Sequence, residues 1–163
     1  MTIRPARISD IAAIAAIWNP VIRETVATFN DIEKTPEMLA DTLAAKAEAG
    51  YPFLVSQTPR ARIVGFGTYG RFRASNGYRH TMEHTIILRS DARGKGMGRR
   101  MMTALQDHAR AARVHSMFAC ISHENSGAIA FHTALGYREV ARLPEVGHKF
   151  DRWFDLVLMQ KML

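Results

Sequence analysis

Apolar residues change their spacing several times along the chain, and each change marks an element. Positions 11, 14, 17, 18 and 21 recur at the interval of one helical face, directly after Ser9 and Asp10, either of which can cap a helix start. Ile3 to Arg7 before them reads as a short strand. Thr35-Pro36-Glu37 combines a capping hydroxyl, a proline in the first turn and an acid near the positive helix end, and Gly50 supplies the stop, which predicts a modest second helix. Phe53 to Ser56 and Ile63 to Tyr69 are apolar runs joined by the turn-prone Gln57 to Arg60, the pattern of an antiparallel hairpin. A polar excursion over residues 71 to 79, containing Ser75-Asn76-Gly77, separates them from the next run.

That run, Thr81 to Leu88, is rich in β-branched residues and leads straight into a glycine-rich loop. Met97, Met101, Leu105 and Ala109, with Met102 and Ala112 beside them, then mark one face of a helix whose other face carries Arg99, Arg100, Gln106, Asp107 and Arg110. Val114 to Ile121 predicts a strand, Ser126 to Leu135 a short helix ended by Gly136, and Tyr137 to Leu143 and Phe154 to Met159 the last strands. Strands and helices alternate only in part. The expected class is therefore α/β (α+β by some schemes), a mixed central sheet of about six or seven strands with helices on both faces.

The 163 residues suit one domain, expected to span residues 1–163, and 47% hydrophobic with 23% charged residues is ordinary globular composition without repeats or low-complexity tracts. A formal net charge of +7 admits nucleic acid, an acidic membrane surface or a small anion as partner. Most basic residues are dispersed, and the densest group is Arg89, Arg93, Lys95, Arg99 and Arg100 around the glycine loop. That suits a compact polyanion better than a long phosphate backbone. The single cysteine, Cys120, excludes an intramolecular disulfide, and its place in the apolar run Met117 to Ile121 reads as a buried, inert thiol. The first residues form no apolar signal region, and no stretch approaches the roughly 20 apolar residues of a membrane span, so a cytoplasmic location is expected.

Arg93-Gly94-Lys95-Gly96-Met97-Gly98 lies between a strand and a helix, where glycines allow successive amide N–H groups to face an anion at the helix N-terminus. Arg99 stands where a Walker loop would need Ser or Thr and a dinucleotide fingerprint another glycine, so both fail. What remains, Arg-x-x-Gly-x-Gly, resembles the acyl-CoA pyrophosphate loop of the Gcn5-related N-acetyltransferases. With strand 81 to 88, the segment from Asn125 through His132 to Gly136-Tyr137, and the tail from Gly147 through Trp153 and Asp155 to Met159, four segments occur in the order found in the phosphinothricin and methionine sulfone/sulfoximine branch of that family.

The resemblance implies an acyl-CoA bound in a V-shaped splay between the fourth and fifth strands. Backbone groups of Ile86, Ile87 and Leu88 would meet its pantetheine, the loop from Arg93 and Gly94 through Lys95, Gly96, Met97 and Gly98 to Arg99 its pyrophosphate, and Asn125 the pantetheine arm. Ile87 stands where relatives often carry an aromatic residue, which bears on the shape of the acyl pocket. Acetyl-CoA is thus the expected acetyl donor, with no metal.

Transfer requires a neutral amine, hence a base or a water chain ending on one. Glu83, an acid early in an apolar strand, matches the acid family members carry there; paired with Arg79 or solvent it would be merely structural. His132 takes the place of the tyrosine that many relatives use to protonate the departing thiolate, and sits with Ala128, Phe131 and Leu135 on one helical face, where a buried core histidine is the alternative. Acid, proton relay and substrate ligand all stay open for it. A strand amide near Ile87 or Leu88 would stabilise the oxyanion.

His80-Thr-Met-Glu83-His84 also spells a zinc-hydrolase motif, but that motif works on a helix, and Thr85-Ile86-Ile87-Leu88 favours a strand. His108, His115, His123 and His148 show no ligand spacing and read as surface or cap residues. Residues 69 to 79 resemble a substrate loop in which an arginine holds an amino acid's carboxylate. Arg73 fits that role, with Ala74 and Ser75 lining the pocket and His84 and Thr85 opposite. The expected activity is direct acetyl transfer to the α-amino group of a small methionine-like or glutamate-analogue amino acid, without an acyl-cysteine. Peptide acceptors, a nucleic-acid-binding module and a silent acyl-CoA sensor are the alternatives. A homodimer is implied, with neither nucleic acid nor membrane as partner.

Overall fold

The computed structural model describes residues 2–163. Strand β1 (Thr2–Pro5) is followed by helices α1 (Ile11–Glu24) and α2 (Pro36–Glu48), the hairpin β2 (Phe53–Gln57) and β3 (Ile63–Arg71), β4 (Thr81–Leu88), α3 (Met97–Ala111), β5 (Ser116–Ser122), α4 (Ser126–Thr133) and the hairpin β6 (Arg138–Lys149) and β7 (Arg152–Met162). The strands form one seven-stranded sheet in the order β1-β2-β3-β4-β5-β7-β6. Every neighbouring pair is antiparallel except β4 and β5, which are parallel and joined by the helix α3.

Both faces are covered because the strands are apolar on both sides. Ile14, Ile17, Leu39 and Leu43 of α1 and α2 close over Phe53, Val55 and Phe66 on one face. On the other, Met101, Met102 and Leu105 of α3 pack on Tyr69, Met82 and Met117. The three α3 side chains are fully buried. Each such burial contributes about 1.5–3 kcal/mol, so the methionine-rich face is core.

Several boundaries differ from the expected ones. The first strand ends at Pro5, and residues Ile8–Asp10 form a 3-10 turn that runs into α1. Asp10 stands at the N-cap position of α1 but its side chain does not bond the first turn; the carboxylate accepts from the Arg7 backbone N–H at 2.8 Å and from Nη1 and Nη2 of Arg4 at 2.7 and 2.9 Å. Ile22, not Val21, completes the buried face of α1. The last hairpin is much longer than the runs 137 to 143 and 154 to 159. Strand β6 is largely exposed, and the turn at Phe150 and Asp151 carries φ of 52° and 54° without a glycine or asparagine. Among the described residues no helix is long and apolar enough to cross a membrane.

The Arg4–Asp10 pair ties β1 to the start of α1, and the Arg4 hydrogen bonds, with lesser help from the Arg7 amide, hold the buried carboxyl below its usual range. Asp10→Ala is expected to cost about 1–3 kcal/mol in urea unfolding. Since the folded pKa is depressed, the contribution of Asp10 is full above its unfolded value, about 3.9, and fades as pH falls through the folded one. The difference between wild type and variant should therefore shrink in acid.

Candidate functional site

Strands β4 and β5 pair in register only at Thr81–Ser116, Met82–Met117 and Glu83–Phe118. Beyond Glu83 they part, while β4 stays bonded to β3 as far as Leu88 and β5 to β7 as far as Ser122. The N–H of Arg89 donates to Val64 O and the C=O of Thr81 accepts from Phe72, so odd-numbered β4 residues turn their backbone groups to β3. Those of His84, Ile86 and Leu88 face the opening. The strand amide expected near Ile87 or Leu88 is thus that of Leu88, because the N–H of Ile87 is turned to β3; Ile87 reaches the opening through its side chain.

A cavity of about 500 Å³ fills the V, lined among others by Glu83, His84, Thr85, Ile86 and Ile87 of one arm and Ala119 to Ser122 of the other. Ser122 Oγ is buried there without a partner among the described residues. Asn125 also lines it; its Oδ1 caps α4 by accepting from the Ala128 N–H at 3.1 Å, which leaves its amide nitrogen to donate. At the far end of β4, Gly94 and Gly96 have φ of 71° and 73°, a conformation glycine adopts without Cβ strain. Gly96 is the N-cap of α3 and, having no side chain, offers no capping acceptor to the N–H groups of the first turn. Arg93, Lys95 and Arg99 surround it, exposed; Lys95 Nζ donates to Asp91 O at 2.9 Å, and Asp91 also pairs with Arg62 and Arg89. Donors in a bend at a helix N-terminus, followed by an unpaired strand edge, match a diphosphate on an extended amide-bearing arm.

Alternation along β4 divides the chemistry between the two faces of the sheet. Glu83 lies on the α1/α2 side with the Cys120 thiol beside it and the Lys46 ammonium of α2 close enough to feel its charge. Lys46 donates to Tyr69 O at 2.7 Å. Phe72 stacks on Phe118 at 4.4 Å, next to the last β4–β5 pair, and the Arg73 guanidinium lies over Phe72 at 5.3 Å. Arg73 lines the cavity, whereas Ala74 and Ser75 are exposed beyond it and do not. No ion pair joins Glu83 to Arg79, whose guanidinium bonds Asn76 O instead. Cys120 is not in a separate environment, as its apolar run suggested, because it lines the cavity. Burial first, then the Glu83 carboxylate, pushes its thiol up to about 12, so it stays protonated and a poor nucleophile.

His84 and His132 meet on the opposite face, Nε2 to Nε2 at 2.9 Å, both buried. His132 Nδ1 lies 2.8 Å from Ala128 O. A carbonyl only accepts, so Nδ1 of His132 carries the proton and its Nε2 is a lone pair. His84 must then donate from Nε2, which leaves its Nδ1 unprotonated. Burial lowers both pKa values, and the neighbouring ring lowers that of His84 further, so the pair is neutral. His80 bonds Arg113 O outside the cavity, and among the described residues no group of three or more His, Cys, Asp or Glu could hold a metal ion. His108, read as a surface residue, is hydrogen-bonded through Nδ1 to the Tyr69 hydroxyl at 2.7 Å.

The structure thus gathers Arg73, Glu83, His84, Thr85, Ile86, Ile87, Asn125 and His132 around one cavity, with residues 93–99 beyond it. Sequence reasoning missed Ser122, Cys120 and the segment Val26 to Phe29, which form much of its remaining wall. That segment has neither periodicity nor a motif to reveal it.

Nitrogen-edited NMR of the imidazoles should find His132 as the Nδ1–H tautomer and His84 as the Nε2–H tautomer at pH 7. Because the folded pKa values are lowered, the stabilisation is full above the unfolded value near 6.5 and is lost as pH falls below it. The urea midpoint should drop between about pH 7 and 5, less steeply in a His84→Leu/His132→Leu variant, since few carboxylates titrate in that window.

Residues 3–158 match the family described as acetyltransferase (GNAT) domain. The L-methionine sulfoximine/L-methionine sulfone acetyltransferase of Pseudomonas paraeruginosa is 40% identical over 98% of this chain and 92% of its own. Among solved structures, a ribosomal-protein-alanine N-acetyltransferase from Brucella melitensis superposes with a TM-score of 0.96 at 37% identity, covering 100% of both chains. The yncA acetyltransferase of Salmonella typhimurium, solved with its cofactor acetyl-CoA, gives 0.95 at 37% identity over 100% of this chain and 94% of its own. A splayed β4–β5 pair, an uncapped glycine bend and these likenesses along the whole length agree: the chain belongs to the GNAT family of acetyltransferases.

Proposed function

We propose that the protein transfers an acetyl group from acetyl-CoA directly to the α-amino group of a small amino acid or analogue, of the methionine sulfoximine, methionine sulfone or phosphinothricin kind. The observation that carries this reading is the placing of Glu83 at the vertex of the V with Arg73 nearby over the Phe72–Phe118 stack, both lining the same cavity. Acetyl-CoA supplies the activated acetyl group. Residues 93 to 99 hold the diphosphate, the edge of Ile86 and Leu88 together with Asn125 aligns the arm, and the Leu88 amide faces the developing oxyanion.

On the acceptor side, the Arg73 guanidinium takes the carboxylate in a bidentate grip, braced by the Phe72–Phe118 stack. That directs the amine toward Glu83, which accepts its proton directly or through water. His132 has no proton free to give in this arrangement, since its Nδ1–H donates to Ala128 O and its Nε2 accepts from His84, so the pair is placed to orient the acceptor and the thioester rather than to protonate the thiolate. Cys120 stays protonated and takes no covalent part.

The protein is read as a cytoplasmic homodimer with neither nucleic acid nor membrane as partner. Val140, Val146, Phe150 and Trp153 on the β6–β7 hairpin are 51, 54, 51 and 60% exposed, an apolar group on the edge strand and its neighbour that a second copy would cover. Sedimentation should find a dimer in the wild type and a monomer after Trp153→Glu.

Thiol release from acetyl-CoA should be stimulated by the three amino-acid analogues and far less by peptides, polyamines or aminoglycosides. A response to peptides alone would overturn the acceptor class and leave the acetyltransferase intact. Glu83→Gln should lower kcat by about a hundredfold or more while coenzyme A affinity by calorimetry is unchanged. Equal loss of affinity would remove Glu83 from the role of base.

A further inference from the structure

The tail segment from Gly147 to Phe154 has no part in the chemistry above, yet it is joined to one wall of the cavity by three separate contacts. Lys149, at the end of β6, is 5% exposed, and its ammonium donates to Thr25 O at 2.7 Å and Thr28 O at 2.8 Å. Phe29 stacks on the fully buried Phe154 of β7 with ring centroids 5.7 Å apart. A Cβ on Gly147 would collide with the Phe29 ring, so the ring lies directly against the bare backbone of the hairpin.

The segment held in this way, residues 25 to 29, follows α1 and has no regular structure. Its other hydrogen bonds are local: Thr25 Oγ1 to Val21 O at 2.7 Å, and the N–H groups of Ala27 and Asn30 to the hydroxyls of Thr25 and Thr28. Val26, Ala27, Thr28 and Phe29 face the same cavity as Glu83 and Arg73. A loop lacking a ladder of its own keeps its shape only through contacts from elsewhere. A buried ammonium is retained because those two carbonyls replace its water, and removing it would strand them.

We infer that Lys149 is a positioning residue for acceptor recognition: by bridging the carbonyls of Thr25 and Thr28 it fixes the Val26–Phe29 wall, with Phe29, seated on Gly147 and Phe154, bounding the space for the acceptor side chain. The inference rests on the proposed function insofar as the acceptor lies between this wall and Glu83. It gives the β6–β7 turn a purpose. The left-handed Phe150 and Asp151 close the hairpin directly beyond Lys149 and set where its side chain leaves the sheet.

Two variants of the intact protein test this, Lys149→Met, which keeps the length of the stem and removes the three N–H donors, and Gly147→Ala, which displaces the Phe29 ring without touching the ammonium. In Lys149→Met the KM for methionine sulfone should rise about tenfold or more while the coenzyme A dissociation constant stays within about twofold. The preference for methionine sulfone over bulkier amino acids should narrow, and hydrogen exchange of the amides of residues 26 to 30 should quicken. Lys149→Arg should recover part of the KM.

Gly147→Ala should likewise change acceptor KM and not coenzyme A binding, and it decides the matter if Lys149→Met fails to fold. An unchanged acceptor KM in the folded variants, or parallel losses in acceptor KM and coenzyme A affinity, would overturn the inference. Wild-type inactivity toward all three analogues would instead count against the proposed acceptor. The seating of the wall would still be read from exchange, where unchanged rates in Lys149→Met overturn it, and from the KM of whichever amine the wild type acetylates.

Discussion

Strands β4 and β5 stop pairing after Glu83 and Phe118, and the organisation of the molecule depends on that interruption. Each arm keeps its outer neighbour, so neither loses its strand conformation, but the edges between them present N–H and C=O groups without a ladder partner. Buried backbone groups left unmatched cost about as much as lost hydrogen bonds, which makes the V a standing demand for a ligand with amides of its own. The antiparallel register to β3 fixes which residues answer it. Ile86 and Leu88 turn their backbone to the opening and Ile87 its side chain, so an aliphatic residue at 87 alters pocket shape without removing a hydrogen bond.

The same strand separates two kinds of electrostatics. On one face Glu83 sits among two cations, Lys46 and Arg73, and a protonated thiol. On the other, His84 and His132 are dry, neutral and directional, their proton positions dictated by one helix carbonyl. A period of two residues places both systems within one cavity without letting either neutralise the other. The zinc-like spelling of His80-Thr-Met-Glu83-His84 loses its meaning for the same reason: in a strand, Glu83 and His84 point to opposite faces.

Much of this was legible in the chain because the signals are local. The apolar run 81 to 88, the glycines at 94 and 96, and the periodic methionines of α3 each carry their own geometry, and the splay was expected from the family that their order resembles. The misread parts depend on distant partners. Asp10 looked like a cap and is an ion-pair anchor because Arg4 lies beside it in space. Cys120 is as unreactive as expected but was not placed at the site, because its apolar run gives no sign that Glu83 lies beside it. Ala74 and Ser75 were placed in the pocket by proximity in sequence to Arg73, but the chain turns outward after the Phe72 stack. The second half of β6, beyond the expected end at Leu143, escaped notice because an exposed edge strand needs no apolar alternation, and its turn uses Phe150 and Asp151 where glycine or asparagine would have announced it.

The irregular segment after α1 shows why a site of this kind is spread over so much of the sequence. A donor pocket can be built from regular elements, since strand edges and helix ends repeat the same hydrogen-bonding pattern wherever they occur. An acceptor pocket has to fit one side chain, and irregular backbone is the freest to vary in shape. The cost of that freedom is rigidity, which must come from outside the segment. Here it comes from a side chain 121 residues away, a single ammonium reaching two carbonyls, and from a glycine that lets an aromatic ring rest on bare backbone. Donor chemistry and acceptor shape are therefore held by different parts of the fold, so that the wall can change without disturbing the strands that align the thioester.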